Sequence, residues 1–108
     1  ADHLPSELAL PVERPDCRHV YHLYVVRAPD RDGFRQRLQA AGVGSAIHYP
    51  VPIHRQPAYA GQPGATVALP ETERLVNEIV SLPMHPLLAP AQVEQVAAAA
   101  RSALGVAA

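Results

Sequence analysis

The stretch His19-Val20-Tyr21-His22-Leu23-Tyr24-Val25-Val26-Arg27 decides how the rest of the chain is read. It is rich in β-branched and aromatic residues and contains neither Gly nor Pro, which predicts a strand. Alternation sends Tyr21, Leu23 and Val25 to one face and Val20, His22, Tyr24 and Val26 to the other. Apolar bulk on both faces predicts a central strand rather than an edge.

Downstream, Asp30 to Ala41 places Phe34, Leu38 and Ala41 at helical spacing, with Asp30 or Asp32 able to accept from first-turn amides and Gly42 as a left-handed stop. Arg31, Arg35 and Arg37 fall largely outside that face and read as a solvated helix surface. Val43 to Ile47 reads as a short second strand. Pro70 to Val80 predicts an amphipathic helix burying Leu75, Val76, Ile79 and Val80, with Glu71 and Glu73 in the first turn where the macrodipole favours anions. Ser81 to Met84 follows as a short extended segment, because Pro83 and Pro86 stop a helix. A last helix is expected from Pro90 to about Leu104, burying Val93, Val96, Ala97, Ala100 and Leu104 and ending at Gly105. Ala89 gives it no capping side chain, and the alanine run Ala97 to Ala100 reads as a close-packing face.

Upstream lies a proline-punctuated lead, residues 1–16, with an edge segment at Leu8 to Val12; residues 17–108 form the single domain proper. The predicted class is α+β, a small mainly antiparallel sheet with helices packed on one side. At 108 residues and 48% hydrophobic content, the chain supplies one core and not two.

Composition removes several functions. Nine Arg, no Lys and ten Asp+Glu give a formal charge of -1, without the basic excess that nucleic acid demands. No apolar run reaches the roughly 18 residues of a membrane span, and no basic-then-apolar leader opens the chain, so a cytoplasmic protein without a membrane partner is expected. Cys17, the sole cysteine, reads as an inert, partly buried thiol with no disulfide to form.

Polar functional groups concentrate in His48-Tyr49-Pro50-Val51-Pro52-Ile53-His54-Arg55-Gln56-Pro57-Ala58-Tyr59. Prolines hold this segment extended, so it loses little entropy when a ligand orders it. Three chemistries fit it poorly. A zinc site wants helical His spacing or clustered Cys, whereas His48 and His54 are six apart and Cys17 is remote. Neither Ser45, Ser81 nor Ser102 sits in a G-x-S-x-G turn. Gly42-Val43-Gly44 closes a helix instead of opening one around a phosphate.

Gly44 to Tyr59, preceded by Tyr21-His22-Leu23-Tyr24-Val25 and followed by Ile79-Val80-Ser81-Leu82-Pro83-Met84-His85-Pro86, resembles the C-terminal small domain of the DegT/DnrJ/StrS family of sugar aminotransferases, over nearly the whole chain from about residue 7. The resemblance implies the small domain of a fold-type I pyridoxal-phosphate enzyme, about fourfold longer, that moves an amino group from an amino acid, usually glutamate, to a nucleotide-linked keto-sugar. It implies that His48, Tyr49, His54 and Arg55 bind the nucleotide sugar, with Gln56 and Tyr59 matching the motif as loop-locking residues.

The cofactor is implied to reside on a lysine of a missing N-terminal large domain. A chain without lysine side chains cannot form the usual internal imine, so this piece alone is expected to bind no cofactor and to be inactive. Implied partners are that large domain, the nucleotide sugar and, in the parent enzyme, a second copy as homodimer. The isolated piece is expected to be a monomer or weak dimer with apolar surface exposed. Three other readings stay open: a pyridoxamine-phosphate-dependent sugar dehydratase domain of the same family, a free-standing metabolite-binding or regulatory module without catalysis, and a purely structural assembly domain.

Overall fold

The strand signal at 19–27 is realised only in its second half. The computed structural model describes residues 3–105, and in it β1 spans Tyr24–Arg27. Upstream, Tyr21 takes a left-handed φ of 48°, its N–H donates to His19 Nδ1 at 2.9 Å, and its ring stacks between those of His19 and Tyr24. This local turn competes with strand pairing. The partner strand gives a second reason: Tyr24 pairs with Leu82, so Leu23 would face Pro83, which has no N–H to offer.

That partner is β2, Ile79–Leu82, antiparallel to β1 with Val25 opposite Ser81 and Val26 opposite Val80. The helix expected to reach Val80 therefore stops two residues earlier. Ile79 and Val80 are β-branched, and pairing with β1 gains more than one further helical step. Single bridges extend the sheet on both sides, Ala9 to Arg27 and Ala46 to Ser81, so the order across it is Ala9, β1, β2, Ala46. Val43 to Ile47 contributes only that one bridge instead of a strand.

Three helices complete the α+β fold: α1 at Arg31–Ala40, α2 at Pro70–Glu78 and α3 at Pro90–Ala103. Asp30 caps α1 by accepting from Gly33 N–H at 3.3 Å, and Gly42 and Gly105 adopt φ of 76° and 74° just past α1 and α3. Gln92 Oε1 accepts from Ala89 N–H at 2.9 Å, half of a reciprocal cap to which the alanine returns nothing.

Phe34 and Leu38 of α1, Val26, Val80 and Ala100 are all 0% exposed and form the centre of the core. Ala97, Ala99, Ala100 and Ala103 are buried, so the alanine-rich stripe lets α3 lie close. Ala41 and Val93, expected in the core, are exposed. Cys17 is exposed as well, not partly buried.

Of the arginines of α1, Arg37 is exposed as expected but Arg31 and Arg35 are half-buried, and all three are tied by hydrogen bonds. Arg31 donates to Val76 O at 2.9 Å with its side chain 11% exposed, Arg35 donates to Ser45 Oγ and O at 3.1 and 3.2 Å, and Arg37 donates to Ala103 O. Val76 and Ala103 lie in the last turns of α2 and α3, where carbonyls have no intrahelical partner. Arginine supplies what a helix end leaves unmet. Among the described residues no helix is long and apolar enough to cross a membrane.

Candidate functional site

From Gly44 through Ile79 no residue is buried. This third of the molecule contains the proline-rich loop, two short 3-10 turns at Ile53–Arg55 and Pro57–Tyr59, and α2. Hydrogen bonds, not a core, give it shape.

One end of the loop is fixed at β2. Ser81 is the one buried polar residue among those described, at 5% exposure, and its backbone pairs with Ala46 through bonds of 2.8 and 3.2 Å. The hydroxyl shares a hydrogen bond of 2.8 Å with Nδ1 of His48. A buried hydroxyl needs such a partner, and the bond places the imidazole over the sheet face opposite Val80. Tyr49 follows through a cis peptide; its ring is edge-on to that of His48 at 5.6 Å and the residue is 72% exposed.

The other end is fixed at the first turn of α2. Oε1 of Glu73 lies 3.0 Å from His54 Nε2, and accepts from Arg55 Nη2 at 2.9 Å and from Leu69 N–H at 3.4 Å. These hydrogen bonds, His54 first and then Arg55, hold the Glu73 carboxyl down at about 2, against an ordinary 4.5. Arg55 also donates to Ala65 O at 3.3 Å, and Gln56 Nε2 donates to Val51 O at 2.9 Å. Tyr59 lines an open hollow of about 430 Å³ with Ile53, His54, Leu69 and Thr72.

The four residues singled out from the sequence therefore fall into two pairs. His48 and Tyr49 stand at the sheet, with Tyr49 open to solvent. His54 and Arg55 stand at α2, where the His54 side chain is 9% exposed and that of Arg55 is 45% exposed. Glu73 and Ser81 were not singled out for this. A lone hydroxyl inside Ile79-Val80-Ser81-Leu82 is a signal that a polar partner must come from elsewhere, whereas nothing near Glu73 in sequence points to His54.

Chemically, the arrangement offers imidazole, phenol, guanidinium and hydroxyl groups. Among the described residues no three His, Cys, Asp or Glu are grouped to hold a metal.

Comparison with known proteins gives a consistent picture. A family model described as the DegT/DnrJ/EryC1/StrS aminotransferase family matches residues 2–101. A dTDP-3-amino-3,4,6-trideoxy-alpha-D-glucose transaminase of Streptomyces venezuelae is 42% identical over 94 residues, 87% of this chain and 25% of that protein. A UDP-N-acetyl-3-dehydro-alpha-D-glucosamine 3-aminotransferase of Acidithiobacillus ferrooxidans is 36% identical over 105 residues, 96% of this chain and 28% of that protein. The crystal structure of S. venezuelae DesV with a ketimine intermediate superimposes with a TM-score of 0.87 at 39% identity, over 94% of this chain and 28% of that one. The chain thus spans about a quarter of the length of the relatives it matches.

Proposed function

This chain belongs to the DegT/DnrJ/EryC1/StrS aminotransferase family, and on that premise we propose that it serves as the C-terminal small domain of a nucleotide-sugar aminotransferase. In this reading the parent enzyme takes an amino group from an amino acid, glutamate foremost, and delivers it to a keto-sugar carried on a nucleoside diphosphate. The domain binds and encloses the sugar nucleotide, and its partner is an upstream large domain.

The observation that carries this is surface left unsatisfied. A compact domain of 11.6 kDa exposes roughly 5,800 Å² and has a radius of gyration of roughly 13 Å. This one exposes 7404 Å² with a radius of 15.8 Å. Tyr49, Val51, Ile53, Tyr59, Val67 and Leu69 are all exposed large hydrophobics of the same segment that holds the polar donors. An apolar face of that kind fits a neighbouring domain.

The family's cofactor is pyridoxal phosphate, whose chemistry is to hold the migrating nitrogen and stabilise the adjacent carbanion. The residues present do not fit it. The chain has no lysine to anchor it. The cofactor is accordingly assigned to the large domain. What this chain supplies is donors: His48 and Tyr49 reach the sugar or diphosphate oxygens, with Arg55 and the edge of His54 behind them.

A chimera tests the proposal. Residues 2–101 replace the matching quarter of the S. venezuelae relative, and amino transfer from glutamate to the nucleotide keto-sugar is assayed. The chimera is expected to turn over, and His48→Ala to lower kcat/KM about tenfold, as expected when a hydrogen-bonding partner is lost. Unchanged turnover after replacing both His48 and Tyr49 by Ala would overturn the assignment of the loop to substrate.

A further inference from the structure

Glu73 is the only carboxylate among the described residues that touches the loop, and one of its oxygens meets three donors from two places: the neighbours His54 and Arg55, and the Leu69 N–H. Between the first pair and the last runs the segment Gln56 to Leu69, with a single 3-10 turn and no buried residue. Among the described residues, that oxygen carries the hydrogen bonds that tie the far end of the loop to α2. The other acidic residue of the turn, Glu71, faces away and pairs with Arg74 at 2.6 Å. Two neighbouring glutamates in one helical turn thus have different tasks, and only one of them shapes the loop.

We propose that Glu73 is a positioning residue: its carboxylate holds the His54–Arg55 turn against the start of α2 and thereby sets the form of the loop that faces the nucleotide sugar. The last clause rests on the function proposed above. Glu73 itself touches no substrate. It orients Arg55 so that one edge of the guanidinium is engaged while the side chain stays half exposed, and it keeps the His54 ring in the wall of the hollow beside Tyr59.

The chain carries nine Arg and no Lys, so trypsin reports on arginines alone. Cleavage of the Arg55–Gln56 bond requires Arg55 to leave Glu73 and the turn to open. Glu73→Ala is expected to speed cleavage at Arg55 about tenfold, as for loss of one charged hydrogen bond, with rates at the other arginines unchanged. Glu73→Gln, which retains an accepting oxygen, should restore part of the protection, and Glu71→Ala should leave Arg55 as in the parent chain. Equal acceleration at every arginine would mean that Glu73 merely supports the whole fold, and unchanged cleavage at Arg55 would mean that it holds nothing; either overturns the proposal. UDP serves as a probe of the functional clause. Protection of Arg55 by UDP in the parent chain, lost in Glu73→Ala, is the expected result. Acceleration confined to Arg55 without any UDP protection would overturn the nucleotide-facing reading while the mechanical role of Glu73 stands.

Discussion

Val26, Phe34, Leu38, Val80 and Ala100 are entirely out of water, whereas the stretch from Gly44 through Ile79 buries no residue at all. The two regions are built by different physics. In the first, α1 and α3 close over β1 and β2, and stability comes from apolar area and close packing. In the second, prolines restrict the backbone and a few polar ties, Ser81 to His48 and Glu73 to His54 and Arg55, set the geometry. A region held this way exposes large apolar side chains such as Tyr49, Ile53 and Val67. Apolar core and exposed polar-tied segment are separate in the chain.

That separation can be attacked from either side. The largest effect belongs to the core: Phe34→Ala removes a wholly buried ring and should cost about 3–5 kcal/mol by urea unfolding, a large fraction of a small domain's stability. A cost below about 1 kcal/mol would show that the core is not where stability resides.

A smaller, pH-dependent effect belongs to Glu73. Its carboxyl lies at about 2 in the folded chain against an ordinary 4.5. A lowered folded-state value means that the native form resists protonation. The contribution is therefore complete above about 4.5 and is lost as the pH falls toward 2. The urea midpoint difference between the parent chain and Glu73→Gln should shrink across that window. A constant difference would place the stabilising charge elsewhere.

The smallest effect is expected at the rim. Ile53 is 75% exposed, so Ile53→Ser should change stability by no more than about 0.5 kcal/mol while reducing the surface available to a neighbouring domain. A loss of about 2 kcal/mol would mean that the loop has a core of its own.

The framework was the part most legible in the residues. Phe34 and Leu38 at helical spacing, Asp30 before them and Gly42 after them describe α1 nearly to its ends. Boundaries failed where tertiary pairing outweighed local preference. Ile79 and Val80 continue a helical pattern but pair with β1, and His19 to Leu23 reads as strand yet has only Pro83 and a left-handed Tyr21 to meet. Arg31 and Arg35 of α1 were misread because periodicity reports which side of a helix faces the core, not which carbonyls lie within reach of a long side chain. At the loop, residue types and proline stiffness marked out a segment that is exposed and tied down by side-chain hydrogen bonds. What they could not convey was a bond between His54 and Glu73, 19 positions apart, because no local pattern encodes it.

The guanidinium of Arg31 on the Val76 carbonyl has a consequence for how α2 is held. The accepting carbonyl lies in the last turn of α2, with two residues between it and the start of β2. The opposite end of α2 depends on the Glu73 carboxylate. One end of this rod is tied to α1 and runs into the sheet, and the other is held through a single carboxylate, so the two ends rest on different chemistry.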